Sequence, residues 1–229
     1  MNDINQRNKH TAIAFWKALD AHRSAPSDIL SLLDGDLRWD GFAPFPNTHT
    51  ATEFIDTFVT PFYNAFGQVE RETHILMGGV SNGRADGSAD GRHWVGATGY
   101  LNASQFHDLD VIPARQIPLW LRWGEFLEFD QAGKITRIQT IIDVIDWLEQ
   151  IGLSPLPTPK GTAHVYPSPT GCDGFLIQEQ NDAQSAKLLD YARDFIFGGL
   201  NGFDQSDLKS MGMADYFHPN LKWYGPGGI

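Results

Sequence analysis

Cysteine is nearly absent. Cys172 is the single one, so no internal disulfide staples the fold and no cysteine cluster can hold a metal. Basic residues are in deficit, 17 Lys and Arg against 28 Asp and Glu, for a formal charge of −11. That balance argues against nucleic acid, whose binding depends on Lys and Arg neutralising phosphates, and against anionic membrane surfaces. No apolar run approaches the roughly 20 residues that span a bilayer. The polar opening from Met1 to Asn8 lacks the apolar stretch of a secretion signal. His residues are scattered, with no His-x-x-x-His or carboxylate group at ligand spacing, so no metal site is expected. A cytoplasmic protein facing small molecules or other proteins is the default expectation.

What the chain has in quantity is aromatic surface. Seven Trp and fifteen Phe are many for 229 residues, and most lie between Phe15 and Trp147. Such rings fill cores and also wall pockets for planar or greasy ligands. Ile13, Trp16 and Leu19 recur at helical spacing across residues 10–23. Pro26-Ser27-Asp28 predicts a second short helix reaching Leu33, with Ser27 or Asp28 as its N-cap. A strand is expected at Leu37–Phe42 and a third helix at Thr50–Phe66, with Phe54, Phe58 and Phe62 on one face. Strand-like runs follow at Glu72–Met77, Trp94–Leu101, Ile117–Phe129 and Ile135–Ile142, the last two joined by the turn Asp130-Gln131-Ala132-Gly133. Gly124 is the natural place for a bulge in the long third run. Helices followed by a curling antiparallel meander form an α+β pattern, with the helices on one face of the sheet.

The Pro-rich stretch from Leu153 to Gly161 cannot hold a regular element and reads as a linker. Beyond it an internal repeat begins. Ser27-Asp28-Ile29-Leu30-Ser31-Leu32 recurs as Ser206-Asp207-Leu208-Lys209-Ser210-Met211, and Leu37-Arg38-Trp39-Asp40-Gly41 as Leu221-Lys222-Trp223-Tyr224-Gly225. The expected organisation is a first unit over 1–153, a linker over 154–181, and over 182–229 a partial second unit of two helices and a first strand, truncated or packed on another surface.

Asp143 is the one carboxylate in the apolar pentad Ile141–Ile145. Desolvation there would raise its pKa and suit it to proton transfer. The alternative is a helix N-cap for Val144–Ile151. Arg122 is costly in a sheet interior unless paired, and Glu125 can reach it only if Gly124 bulges the strand; binding a substrate carbonyl is its other reading. Trp120 and Trp123 point to opposite faces of an unbulged strand, which leaves Trp39 and Trp94 as the better pocket walls. His74 is either a core histidine or a pocket group, and His107 either a solvated turn residue or a carbonyl polariser. The Gly-x-Ser-x-Gly match at Ser81 precedes a Gly/Asp-rich loop rather than a helix, so a plain turn is expected.

Trp39-Asp40-Gly41…Pro44, Phe58…Pro61-Phe62…Ala65-Phe66, Trp94-Val95…Gly99, Ile112-Pro113-Ala114, Glu125-Phe126, and Gly133-Lys134-Ile135…Asp143…Leu148…Gln150-Ile151-Gly152 together resemble the SnoaL-like polyketide cyclases. The tail from His218 to Ile229 looks like the opening of a second such unit. The resemblance implies a cone of the nuclear transport factor 2-like, cystatin-like α+β type, a curved antiparallel sheet wrapped by helices around an apolar pocket. It implies an intramolecular aldol closure of a polyketide ester without a cofactor, Asp143 shuttling the proton and His107 assisting. Substrate contacts are expected from Trp39, His74, Trp94, Arg122, Gln139, Phe58 and Phe62, on a small apolar carbonyl compound. Where many members carry Glu and Trp on the last strand, this chain has Arg137 and Gln139. The rival expectations are a non-catalytic pocket for a small hydrophobic ligand, or a dehydratase or hydrolase using the same carboxylate. A second copy of the chain is the expected protein partner.

Overall fold

The computed structural model of the chain describes residues 2–21, 26–81, 89–157, 165–169, 171 and 174–221. Helix α1 (Asn2–Asp20) starts earlier than its apolar spacing suggested and buries Ala12, Phe15, Trp16 and Leu19 along one stripe. Helix α2 (Pro26–Leu30) is short, and Leu33 opens strand β1 (Leu33–Asp40) instead of closing that helix. The third helix begins where Thr50 accepts the Glu53 N–H while Glu53 accepts the His49 N–H. It runs as α3 (Ala51–Phe54), a π-helical turn (Ile55–Val59) and α4 (Thr60–Phe66). Pro61 has no N–H to give to the preceding turn, and the helix widens just there. The aromatic stripe survives the widening. Ring centroids of Phe54, Phe58, Phe62 and Phe66 follow one another at 5.8, 5.2 and 4.6 Å.

The meander is β2 (Val69–Val80), β3 (His93–Ser104), β4 (Pro118–Phe129) and β5 (Ile135–Ile142), closed by helix α5 (Val144–Gln150). The sheet order is β1-β5-β4-β3-β2, with β1 parallel to β5 and every other pair antiparallel. Alternation along β4 sorts its two faces. Leu119, Leu121, Trp123, Glu125, Leu127 and Phe129 are buried on the inner, helix-covered face, whereas Trp120 and Phe126 are about half exposed on the outer one. Gly124 does not bulge; it pairs in register with Thr98. Register shifts fall instead between Leu33 and Arg38 where β1 meets β5, at Thr136 where β5 meets β4, and on β2 at His74, between Thr73 and Ile75. There β2 comes so close to β3 that a Cβ on Gly99 would stand 1.9 Å from the Glu72 carbonyl oxygen, so only glycine fits. Strand β2 also continues through Gly78 and Gly79, where the sequence suggested a stop.

The free edge of β2 is covered by the chain that follows the Pro-rich stretch. Phe175 bridges Leu76 in parallel, the Leu76 N–H donating to Gly174 and the Leu176 N–H to Leu76 at 2.9 and 2.8 Å. Lys9, buried on α1, donates to the carbonyls of Leu176 and Gln178 at 2.9 and 2.6 Å, and Asn5 donates to Gln180. Next come α6 (Asp182–Asp194), a π-helical turn (Phe195–Leu200), a 3₁₀ turn (Leu208–Met211) and α7 (Met213–Tyr216). Helix α6 buries none of its residues fully, and Leu188 is 61% exposed. The strand expected from Leu221 onward lies, apart from Leu221 itself, outside the described residues. Among the described residues no helix is long and apolar enough to cross a membrane.

The Lys9 grip generates a prediction. Charge-assisted bonds of this kind contribute roughly 1.5–3 kcal/mol, so Lys9→Met should loosen the 174–178 segment. Amide exchange read by mass spectrometry should accelerate at Leu176 while β3 and β4 stay protected. Unchanged exchange at Leu176 would show that the backbone bridge alone holds the segment.

Candidate functional site

The inner face of the sheet and the aromatic stripe of the third helix enclose a chamber of about 10 Å³. Its walls are apolar at Leu19, Phe58, Phe62, Leu101 and Ile142 and polar at Tyr63, Arg71, Glu125 and Thr140, with Trp123 completing them. Two of the expected pocket aromatics, Phe58 and Phe62, are therefore at this wall. Trp39 is fully buried beside it, stacked on Phe58 with ring centroids 4.7 Å apart.

Glu125 is the carboxylate of this interior, 3% exposed. It reaches inward because β4 alternates without a bulge, on the same face as Trp123 and Leu127. The Trp16 indole N–H donates to Oε2 at 2.5 Å and the Thr140 hydroxyl to Oε1 at 2.6 Å. Thr140 in turn accepts the Trp39 indole N–H at 2.9 Å. Burial pushes the Glu125 carboxyl above its ordinary value, against the Arg71 charge and the Thr140 and Trp16 donors, which pull it down.

A second buried group sits across the chamber. Arg71 on β2 donates from Nε and Nη2 to the two carboxylate oxygens of Asp20, both at 3.0 Å, and from Nη2 to the Tyr63 hydroxyl at 3.0 Å. The Tyr63 hydroxyl donates to Asp20 at 3.1 Å. Burial pushes the Tyr63 phenol well above its usual value, so it stays neutral and a donor. The Arg71 guanidinium also lies over the Trp123 ring, 4.4 Å from its centroid.

Asp143 stands elsewhere. It is the N-cap of α5, its Oδ1 accepting the Asp146 N–H at 3.0 Å. Its side chain is 34% exposed and its Oδ2 lies 3.8 Å from Arg122 Nη1. The apolar enclosure expected around it is corrected: Ile141 and Ile145 are 67% and 47% exposed, because they flank the point where strand turns into helix. Arg122 points to the outer face, toward Asp143 and over the Tyr166 ring at 4.6 Å, not toward Glu125. The expected Arg122–Glu125 pair therefore does not form, since the two alternate across an unbulged strand. His74 also lies outward, with Nε2 2.9 Å from Glu72 Oε1 and its ring against Tyr100. Trp94 shares the outer face of β3, half-buried, with Glu128 as its register partner. His107 is exposed in the loop after β3 and held through its backbone, N–H to Ala65 and carbonyl from Gln105.

The outer face carries its own groove, of about 450 Å³, whose walls include Ile75, Met77, Phe126, Gln139 and Ile141 over a floor at Gly96 and Gly124. Phe126 lies flat across Gly96, where a Cβ would meet its ring at 2.7 Å. Gln139, an expected substrate contact, faces this groove and donates to Asp40 at 3.4 Å. The expected set is thus divided between two faces of the sheet. Trp39, Phe58 and Phe62 are inside; His74, Trp94, Arg122, Gln139 and Asp143 are not. The sequence reading does not single out Arg71, Tyr63, Asp20 or Thr140, and gives Glu125 a place in the family pattern and a pairing with Arg122 but no role of its own. The signal for Glu125 was in the alternation itself, a carboxylate on the apolar side of β4.

No protein-family model and no characterised relative matches the chain. Among solved structures it is similar to a protein of Xanthomonas campestris pathovar campestris described as a candidate polyketide cyclase, at 19% identity and a TM-score of 0.50, covering 65% of this chain and 98% of that one. A candidate SnoaL-like polyketide cyclase of Shewanella putrefaciens is similar at 13% identity and a TM-score of 0.50, over 64% of this chain and 86% of the other. Another from Shewanella denitrificans gives 12% identity and a TM-score of 0.50, over 63% and 96%. Identities this low speak for shape and not for chemistry. The chain has the curved α+β cone of the SnoaL-like, nuclear transport factor 2-like fold.

Proposed function

We propose that this protein is a SnoaL-like cyclase or isomerase, carrying out cofactor-free acid–base chemistry on an apolar carbonyl compound of the polyketide-ester kind. The supporting observation is Glu125, a carboxylate buried in the cone with a raised pKa and held by two donors. The SnoaL-like pattern assigns the proton to Asp143. That side chain is engaged by the helix end and Arg122, so Glu125 is proposed in its place. As the carboxylate, Glu125 takes a proton from the carbon beside a carbonyl. The C–H electron pair becomes an enolate, which attacks a second carbonyl of the same molecule and forms the C–C bond. The π electrons of that carbonyl move to its oxygen, and the alkoxide takes the proton back from Glu125. A raised pKa makes the ionised group a stronger base for the first transfer, and the return transfer runs downhill because a carboxylic acid is far more acidic than the alcohol that forms. The chamber's volume of about 10 Å³ is too small for a substrate body, so this reading requires the wall to open.

A second reading, binding of a small hydrophobic ligand without turnover, is favoured by the outer groove. Its volume of about 450 Å³ lies within the usual range for small-molecule sites, and its walls are largely apolar.

One prediction separates these readings, and another tests the burial of Glu125. With polyketide methyl esters as substrates, Glu125→Gln should lower the cyclisation rate by about 100-fold or more, and Asp143→Asn, which keeps the helix cap, should leave it unchanged. Loss in Asp143→Asn alone would return the proton to Asp143. The absence of turnover in all three proteins, with a hydrophobic ligand bound equally by each, would favour the second reading.

The other prediction concerns stability. Because the folded-state pKa of Glu125 is raised, the folded protein keeps this proton to higher pH than the unfolded chain does. Below the ordinary value of 4.5 both states are protonated and the burial is uncharged. As pH rises from there through the raised folded value, wild type should lose stability relative to Glu125→Gln, read as denaturation midpoints across the pH series. Parallel curves for the two proteins would show that Glu125 does not titrate abnormally.

A further inference from the structure

Trp123 stands on the same face of β4 as Glu125 and lines the same chamber. Its side chain is 2% exposed, and its indole Nε1 is buried with no hydrogen-bond partner among the described residues. The other indoles near the site are matched: Trp16 donates to Glu125, Trp39 to Thr140 and Trp147 to Gln105. A buried N–H without an acceptor is uncommon in a folded protein and calls for an explanation. The chamber supplies one. Its volume, about 10 Å³, corresponds to roughly one water-sized probe, and its wall is polar enough to hold an oxygen atom in place. Beside the indole lies the Arg71 guanidinium, stacked on the Trp123 ring, with the Tyr63 hydroxyl bonded to it. The Arg71 charge at this wall suits an acceptor, while the Tyr63 hydroxyl gives its proton to Asp20.

We propose that the chamber seats a single hydrogen-bond-accepting oxygen atom, bound by the Trp123 indole N–H beside Arg71 and Tyr63. Water is the occupant in the free protein. Given the proton chemistry assigned to Glu125 above, the second source of that oxygen is the carbonyl of the substrate. A carbonyl oxygen seated there gains negative charge as Glu125 removes the neighbouring proton. Fixed donors in a water-poor interior stabilise charge where it develops. The indole then contributes by holding the oxygen, and it transfers no proton.

Nuclear magnetic resonance of the whole chain with ¹⁵N-labelled tryptophan tests this without any turnover. Trp123→Phe identifies the Trp123 indole signal by its loss, and sequential assignment of wild type does so if that variant fails to fold. In the free protein the indole proton should show a cross-peak to a long-lived water. Acetone, the carbonyl probe, should remove that cross-peak and shift the indole signal. A water cross-peak that persists at every acetone concentration supports the seat with water as its occupant. Absence of both the water cross-peak and the acetone shift overturns the proposal. The two assignments fail separately, since turnover insensitive to Glu125→Gln would remove the proton chemistry and leave the water result standing.

Discussion

The hydrogen bonds converging on Glu125 organise the cone. A single carboxylate accepts from Trp16 on α1 and Thr140 on β5 while itself standing on β4, and through Thr140 it reaches Trp39 on β1. Four elements far apart in sequence are thereby fixed around one charged or protonated group. Such a group is costly to bury alone and tolerable when each oxygen has a donor. The aromatic stripe of the third helix then packs over the network and keeps bulk water out. Removing one donor would leave an unsatisfied oxygen in a low-dielectric space, so the network stands as a unit.

A second polar cluster, Asp20 with Arg71 and Tyr63, is built on the same terms across the chamber. The interior of this cone therefore carries two polar clusters among largely apolar walls. That arrangement is unlike the outer face, where Arg122 and Asp143 are about a third exposed and His74 lies against Glu72 and Tyr100.

Much of the scaffold could be read from the residues. The third helix runs to Phe66 as its spacing suggests, the Phe stripe stacks, the Asp130–Gly133 turn joins its strands, and Trp120 and Trp123 take opposite faces. What the residues did not reveal depended on register. The bulge on β2 sits at His74, beside the close approach of that strand to Gly99, a contact between distant strands that no local pattern announces. The assumed bulge at Gly124 had turned Glu125 toward Arg122. In a strand with period two, one inserted residue reverses every side chain beyond it, and with it the assignment of the interior carboxylate. The parallel pairing of β1 with β5 is equally non-local. Asp143 is ambiguous in sequence because an N-cap aspartate and an enclosed catalytic aspartate look alike there; its bond to the Asp146 N–H and the exposure of Ile141 and Ile145 separate them.

The groove on the outer face owes its floor to two missing side chains, at Gly96 and Gly124. A methyl group at Gly96 would displace the Phe126 ring that lies across it. Depth on this face is thus set at individual positions, independently of the network inside the cone. One nucleotide change at the Gly96 codon reshapes the outer surface and leaves the inward-facing side chains as they are, so the two faces of the same sheet are free to diverge on separate schedules.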